Sequence, residues 1–261
     1  MLRLSANLST MFAELPFLER FAAARRAGFA AVEAQYPNDH AVSDVAAARR
    51  EAGIPFVLLN APKGTRKGDR GLACLPGRRD KFREAVETAL AYSTALGNRL
   101  VHVLSGVPDA ECDRESSAAV WRANMAWAAD RAAQAGVGIV VEALNAGDVP
   151  GYFIRSLDDA VALLRGLGKD NAGLLFDVYH CARAGEPVVA QLRACLPWIR
   201  HVQIADAPSR TEPGTGDIDW SGVFAAVERS GYQGFVGAEY TPRAGTLAGL
   251  AWARPYLVKP S

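Results

Sequence analysis

Short apolar runs alternate with longer, alanine-rich runs along the whole chain, and the two kinds of run have different periods. In the short runs, branched and aromatic residues follow one another or alternate with polar residues, which is typical of buried strands. In the longer runs, apolar residues recur at the spacing of one helix face. The pattern predicts eight strands in regular alternation with eight helices.

The predicted strands are Leu2–Asn7, Ala31–Gln35, Pro55–Asn60, Leu100–Leu104, Gly138–Glu142, Gly173–Asp177, His201–Ile204 and Phe235–Glu239. The predicted helices are Pro16–Ala27, Val42–Ala52, Arg79–Leu96, Glu115–Ala135, Leu157–Leu167, Val188–Leu196, Ser221–Ser230 and Gly245–Tyr256. Glycine directly follows six of the helices, as expected where a helix ends in a left-handed residue: Gly28, Gly53, Gly97, Gly136, Gly168 and Gly231. Eight such units favour an α/β fold, a (β/α)8 TIM barrel in a single domain over residues 1–261, because a doubly wound sheet usually has about five or six strands.

Composition narrows the class of protein without choosing a function. The 261 residues are 50% hydrophobic and 22% charged, which excludes disordered, collagen-like and coiled-coil chains. A formal net charge of +1 removes the simplest argument for nucleic-acid binding. No apolar run approaches the length of a membrane span, and the first residues lack a signal-peptide pattern, so we expect a cytoplasmic protein. The four cysteines form no C-x-x-C pair, and we expect free thiols.

Oxygen-bearing side chains stand at the ends of four consecutive predicted strands: Glu142, Asp177, Gln203 and Glu239. In a TIM barrel these ends meet on the face that carries active sites. Buried carboxylates cost several kcal/mol each unless a positive charge compensates them, and a divalent cation is the simplest compensation. An all-oxygen set of ligands favours one Mg²⁺ or Mn²⁺ over zinc. In the alternative, each acid caps a helix or pairs with an arginine.

Further candidates surround these strand ends. His180 follows Asp177 closely and is predicted to hydrogen-bond a substrate oxygen or the acid itself. We expect His201 to pack one layer deeper, and His40 and His102 have weaker claims. Asn7 and Asn60, at the ends of two other predicted strands, complete the candidates for substrate binding on the strands.

Two loops add positive charge near the same face. Arg210 lies in the long loop 205–220 and is predicted to bind a substrate carboxylate in a bidentate manner. The loop from Asn60 to Gly77 carries four basic residues and is predicted to cover an anionic substrate or to be solvated: Lys63, Arg66, Lys67 and Arg70.

Several short motifs are distinctive: Leu4–Ser9, Arg70–Arg78, Val141–Asn145, Pro150–Phe153, Asp177–His180, Gln203–Asp206, Glu212–Gly216 and Glu239–Tyr240. On these motifs the chain resembles the hydroxypyruvate isomerase family within the xylose isomerase-like barrels, over nearly its whole length. It departs from relatives at Ala143, where proline is frequent, and in the segments 36–40 and 64–68. These departures lie in the pocket walls and bear on the substrate more than on the reaction.

The resemblance implies one divalent metal held by Glu142, Asp177, Gln203 and Glu239, with the two glutamates also moving protons. The expected reaction interconverts hydroxypyruvate and tartronate semialdehyde by metal-assisted proton transfer through an enediolate. The alternatives are a 2-dehydrotetronate (2-oxo-tetronate) isomerase, a related sugar epimerase, and a non-catalytic sensor of sugar acids. The expected partner is a small 2-oxo or hydroxy acid rather than nucleic acid or a membrane, and the chain is expected to form a homodimer or homotetramer.

Other chemistry known on this fold finds less support in the sequence. A hydride shift generally uses two metals and more ligands than the strand ends offer. Schiff-base chemistry requires a lysine at a strand end, and none of the five lysines ends a predicted strand. DNA-repair relatives use a histidine-rich zinc cluster, whereas this chain has four histidines and no basic excess.

Overall fold

Eight parallel strands close into a barrel in the computed structural model, which describes residues 2–258. Each strand pairs with the next one along the chain, and β1 pairs with β8 to complete the circle. The strands are β1 Leu4–Asn7, β2 Ala31–Ala34, β3 Phe56–Asn60, β4 Leu100–His102, β5 Gly138–Val141, β6 Ala172–Asp177, β7 Ile199–Ile204 and β8 Val236–Ala238. The predicted TIM barrel is confirmed, with all eight strands in the predicted places.

Helices cover the outside of the barrel. They are α1 Arg20–Arg26, α2 Val42–Ala52, α3 Arg79–Leu96, α4 Arg114–Gln134, α5 Leu157–Leu167, α6 Val178–Arg183, α7 Val188–Cys195 and α8 Trp220–Arg229. Short 3-10 segments occupy Phe17–Glu19, Pro37–Asp39, Leu196–Trp198 and Leu250–Ala253. Between residues 2 and 258, no helix combines the length and the apolarity that crossing a membrane requires.

Glycines end the predicted helices as expected. All six glycines that follow predicted helices have positive φ. At the end of α2, for example, Gly53 has φ 59° and donates its N–H to the carbonyl oxygens of Arg49 and Arg50, which closes the last turn. The glycine signal therefore located helix ends correctly.

The predicted helix Gly245–Tyr256 is wrong. The structure has turns there and only the 3-10 segment Leu250–Ala253. Gly245 adopts a positive φ of 88°, and the hydroxyl of Thr246 accepts the backbone N–H of Phe12, so tertiary contact shapes this segment. A Cβ on Gly249 would lie 2.3 Å from Oε1 of Glu212, which shows how closely the segment approaches the β7–α8 loop.

The interior of the barrel divides into an apolar part and a polar part. Side chains alternate along each strand, so every second residue faces inward. Leu58, Val140 and Leu175 form a small apolar cluster of their own, separate from the main core. Elsewhere in the barrel, Glu33 of β2 meets His201 of β7 through a direct hydrogen bond. Polar groups therefore extend from the strand ends into the barrel itself.

Candidate active site

A cavity of about 280 Å³ lies at the carboxyl ends of the strands. Eight of the ten predicted site residues line it: Asn60, Lys63, Arg70, Glu142, His180, Gln203, Arg210 and Glu239. The other two, Asp177 and Asn7, lie directly behind and hydrogen-bond Arg210 and Glu239 respectively. The structure thus brings all ten residues to one site, while the individual roles of these residues stay predictions.

The carboxylates converge on a small region. Glu142, Asp177 and His180 each offer a ligand atom within 4.8 Å of the other two, all three being buried. Nη2 of Arg210 donates to Oδ2 of Asp177 at 3.2 Å and to Oε2 of Glu239 at 2.6 Å. Two of the three carboxylates therefore share one guanidinium, and Glu142 has no ion pair with it among the described residues.

Glu142 is the least compensated of these carboxylates. Although the side chain is buried, its Oε1 accepts no hydrogen bond from any residue between 2 and 258. Its Oε2 lies 3.7 Å from Nε2 of His102, an atom that is also without a hydrogen bond in this part of the chain. Unpaired buried carboxylates are costly, and a divalent cation with oxygen ligands compensates such a charge. The residues present therefore fit a divalent metal beside Glu142 and Asp177, two of the four predicted ligands, while His180 rather than Gln203 or Glu239 completes the closest group of ligand atoms.

Asp177 has two structural partners. Its Oδ1 accepts the N–H of Tyr179 at 2.8 Å and caps α6, a short helix that the sequence pattern did not predict. Its Oδ2 pairs with Arg210. The alternative of helix capping and arginine pairing thus holds for Asp177, and its arginine pairing holds for Glu239, whereas Glu142 has neither kind of partner within residues 2–258.

Glu239 is held from two sides. Its Oε1 accepts the side-chain amides of Asn7 at 2.8 Å and Gln35 at 3.0 Å, and its Oε2 accepts Arg210. Asn7 itself lies behind the cavity lining, where its amide holds the Glu239 carboxylate; its predicted contact with substrate stays a prediction. Burial raises the pKa of Glu239, because desolvation of the carboxylate outweighs the favourable charge of Arg210.

The pKa of Glu142 is raised well above its usual range. Burial is the largest cause, and repulsion from Asp177 and Glu239 adds to it. Burial also lowers the pKa of His102 to about 3, so this histidine is neutral near pH 7. A neutral His102 cannot compensate Glu142, which strengthens the case for a cation.

The orientation of His180 follows from Asn145. The backbone N–H and the side-chain NH₂ of Asn145 both point at Nδ1 of His180, at 3.3 and 2.7 Å. Oδ1 of Asn145 accepts the N–H of Asp148, which sets the direction of its amide. Because Nδ1 of His180 accepts, a neutral ring carries its proton on Nε2, 3.8 Å from Asp177 and 4.0 Å from Glu142. His180 thus presents a donor to the site.

The loop of Arg210 is organised by Asp206, a buried acid of the Gln203–Asp206 motif. Its carboxylate accepts four backbone N–H groups and one indole N–H, those of Ala207, Gly214, Thr215, Ile218 and Trp220. Arg210 itself adopts a positive φ of 53°, and its guanidinium lies 4.9 Å from the centre of the Tyr179 ring. The loop therefore presents Arg210 from a fixed backbone.

The basic loop divides into two parts. Lys63 and Arg70 line the cavity, and Lys63 Nζ lies 5.3 Å from the centre of the Tyr36 ring. Arg66 and Lys67 are exposed and are not part of the lining. Two of the four basic residues are thus placed to meet an anion.

Sequence reasoning missed several residues of the site. Glu33 is fully buried behind it, and Gln35, Tyr36, His102 and Asp148 line the cavity. The alternation of strand residues was a usable signal for two of them, because Glu33 and Gln35 share the inward face of β2 and its extension. His201, expected to pack, also makes a polar contact: its Nε2–H donates to Oε2 of Glu33 at 2.8 Å.

Comparisons with known proteins agree with this fold. The sequence matches the family described as "Xylose isomerase-like TIM barrel" over residues 21–256. It is 42% identical over 256 residues to the 2-oxo-tetronate isomerase of Cupriavidus necator, covering 98% of each chain. It is 37% identical over 257 residues to the hydroxypyruvate isomerase of Escherichia coli, covering 98% of this chain and 100% of the relative.

A solved structure is similarly close. The crystal structure described as "AP endonuclease, family 2 from Brucella melitensis" has a TM-score of 0.95 and 39% identity, covering 98% of this chain and 100% of that one. The chain belongs to the xylose isomerase-like TIM barrel family. Since both curated relatives are isomerases, the predicted class of enzyme, an isomerase, is confirmed.

Proposed function

We propose that this chain is a cytoplasmic, metal-dependent isomerase of small 2-oxo acids, with hydroxypyruvate and tartronate semialdehyde as its substrate pair. One observation carries the proposal: an undercompensated cluster of buried carboxylates and two basic side chains line the same cavity. A 2-oxo acid has two matching groups: a carbonyl, which a metal held by the carboxylates could polarise, and a carboxylate, which the basic side chains could bind. The four-carbon 2-oxo-tetronate is the second candidate, supported by the 42% identity to an isomerase of that substrate.

The basic residues separate an acid substrate from a neutral sugar. Lys63 and Arg70 have no carboxylate partner among the ion pairs of residues 2–258, while Arg78, directly after the loop, pairs with Asp69. A substrate carboxylate is the complementary group for them. This charge favours a 2-oxo acid isomerase over a sugar epimerase.

Glu142, Asp177, Gln203 and Glu239 would hold the metal, which we propose to be Mg²⁺ or Mn²⁺. When bound, such a cation supplies Lewis acidity that polarises a carbonyl and makes the adjacent C–H more acidic. Glu142 and Glu239 would move the protons, since both carboxylates line the cavity and they enter it from different strand ends, those of β5 and β8. His180 Nε2–H donates to a substrate oxygen.

Nucleic acid is not part of the proposal, despite the description of the Brucella structure. The formal net charge is +1, and a cavity of about 280 Å³ suits a small molecule. A sensor that binds sugar acids without turnover would share the same residues, so turnover is the decisive observation.

The experiment is an assay of the purified protein on 2-oxo acids and ketoses of three to six carbons, with Mg²⁺, with Mn²⁺ and after EDTA treatment. We expect turnover of hydroxypyruvate or 2-oxo-tetronate that EDTA abolishes and either cation restores. In D₂O the product should carry deuterium, since a glutamate exchanges its proton with solvent. Turnover of neutral ketoses alone, EDTA-resistant turnover, or ligand binding without turnover would each overturn the proposal.

A further inference from the structure

Glu33 is a fully buried carboxylate that the proposed reaction does not use. It lies in β2, with 0% of its surface exposed, beneath the ring of strand-end residues. It is not part of the cavity lining and cannot touch a substrate there. Its contacts nevertheless reach two members of the candidate site.

Four side chains from two other strands meet the Glu33 carboxylate. Oε2 accepts the hydroxyl of Ser5 at 2.7 Å and contacts Nε2 of His201 at 2.8 Å. Oε1 accepts the amide nitrogens of Gln203 at 2.7 Å and Asn7 at 3.3 Å. Both carboxylate oxygens are therefore satisfied by side chains of the protein itself, which explains how this buried charge is tolerated.

The bond to Gln203 decides which end of that amide faces the site. Nε2 of Gln203 is occupied by Glu33, and Gln203 lines the central cavity. The carbonyl oxygen is consequently the atom left for a cavity ligand, and oxygen is the atom that a divalent metal requires. With the amide reversed, an NH₂ group would face the metal and repel it.

Asn7 is oriented in the same way. Its Oδ1 accepts the backbone N–H of Ser9 at 3.0 Å, so its NH₂ group points to Glu33 and to Oε1 of Glu239. Glu33 thus contacts one candidate ligand directly and a second one through Asn7.

The barrel makes room for Glu33 at one position of β8. An ideal Cβ on Gly237 would lie 2.4 Å from Oε1 and 2.5 Å from Oε2 of Glu33, closer than real contacts allow. Any other residue at 237 would displace the carboxylate.

We propose that Glu33 is a positioning residue of the candidate metal site: its carboxylate holds the Gln203 amide so that the carbonyl oxygen faces the metal, and holds Asn7 so that its NH₂ group supports Glu239. This inference rests on the proposed metal-dependent function. In this inference Glu33 supports metal binding by orienting the amides of Gln203 and Asn7, not by its negative charge. These two possible causes predict different effects of substitutions at Glu33.

The test compares Glu33→Met with Glu33→Gln by Mn²⁺ binding, measured by electron paramagnetic resonance and calorimetry without substrate. Glu33→Met removes every acceptor, and we expect Mn²⁺ affinity to fall by about 10–100-fold, as for other residues that orient metal ligands. In Glu33→Gln the oxygen of the new amide still accepts the NH₂ group of Gln203. The NH₂ group of the new amide faces Ser5 and His201, which can both accept: the Ser5 hydroxyl by turning its proton away, and Nε2 of His201 when the ring proton is on Nδ1. Affinity in Glu33→Gln should therefore stay within about threefold of the parent.

Asn124→Ala serves as the control for lost stability. Asn124 is also buried and donates to the carbonyl of Ala73, away from the cavity. This variant should lose stability and keep the parent Mn²⁺ affinity. If Glu33→Met does not fold, Gly237→Ala displaces the carboxylate without deleting a polar group, and it should weaken Mn²⁺ binding.

The outcomes are distinct. Folded Glu33→Met, or Gly237→Ala, with parent affinity overturns the inference and leaves the proposed function intact. Equal loss in Glu33→Met and Glu33→Gln also overturns it, because the charge of Glu33 would then be the cause. A parent protein that binds no Mn²⁺ overturns the proposed metal site, and the inference with it.

Discussion

Glu33 and Glu142 are buried carboxylates of one barrel with opposite surroundings. Glu33 receives four side-chain contacts; burial alone would raise its pKa, but the charge and hydrogen bond of His201 and the donors Gln203 and Ser5 lower it. Glu142 has an oxygen without any partner, and its pKa is raised. Burial alone therefore does not mark a functional acid, and neither does an unpartnered oxygen alone. Glu142 combines an unpartnered oxygen with a place in the cavity lining and with two further carboxylates, Asp177 and Glu239, beside it.

The largest expected effect is on turnover in Glu142→Gln. We expect activity to fall by about 10³-fold or more, because both a proton-transfer group and a metal ligand are lost. The unfolding temperature in EDTA should stay the same or rise, since the variant removes an uncompensated buried charge. Calorimetry and the isomerase assay measure the two quantities.

The matched control is Glu212→Gln. Glu212 is also a buried glutamate with an unpartnered oxygen, but it lies outside the cavity, where Oε1 accepts the N–H of Arg243. The Glu212→Gln enzyme should keep most of the parent activity. A Glu142→Gln enzyme with near-parent turnover contradicts the role given to Glu142.

The second largest expected effect is on the free energy of unfolding when Glu33 loses a partner. His201→Leu leaves the Glu33 charge buried with fewer partners, and we expect the free energy of unfolding to fall by about 3–5 kcal/mol in urea titrations. His40→Leu is the control, because the exposed His40 ring only stacks on Phe17, and its change should stay below about 1 kcal/mol. Equal losses would show that Glu33 does not depend on His201.

The pH dependence of stability should also separate the two acids. A carboxylate with a raised folded pKa binds more protons in the folded state, so Glu142 lowers stability as pH rises from its ordinary value of 4.5 toward its raised value. The slope for one group is at most about 1.4 kcal/mol per pH unit. Glu33 acts oppositely: its lowered pKa stabilises the fold above 4.5, and this stabilisation is lost as pH falls through the folded value. Unfolding temperatures in EDTA should therefore depend less on pH above 4.5 in Glu142→Gln than in the parent; an unchanged slope contradicts the raised pKa.

The smallest expected effect concerns the basic part of the cavity. Lys63→Met should raise KM for a 2-oxo acid about tenfold with kcat little changed, because a binding contact to the substrate carboxylate is lost. Lys67→Met, an exposed residue of the same loop outside the lining, should leave both constants unchanged. If both variants behave alike, the loop acts through its overall charge.

The fold and the upper part of the site were accessible from the sequence for the same reason. Strand and helix periods are local, and the barrel rule then places Glu142, Asp177 and Glu239 on one face. Glu33 escaped because its partners are distant: Ser5 lies 28 residues away and His201 lies 168 residues away. A mid-strand glutamate gains meaning only when the closed barrel brings those strands to it.

Tertiary contacts also explain the errors in secondary structure. The alanine-rich stretch after Gly245 has a helical pattern, but the bond from Phe12 to Thr246 and the close approach of Gly249 to Glu212 hold it in turns. Asp177 ends β6 and caps α6 at once, so the strand passes into a helix without the loop that a sequence pattern would show. His102 is the last residue of β4, and Glu142 directly follows β5. In the sequence His102 looks like a packing histidine, and only the contact with Glu142 in the folded barrel identifies it as part of the site.

The bonds of Asp206 have a thermodynamic consequence for substrate capture. Ordering backbone costs about 1–2 kcal/mol of conformational entropy per residue, and in the loop from Ala207 to Trp220 much of this cost is met when the chain folds. Arg210 is therefore preorganised before any encounter, and its binding energy is not spent on freezing a loop. Selectivity on this side of the barrel then comes from rigid complementarity rather than from induced fit.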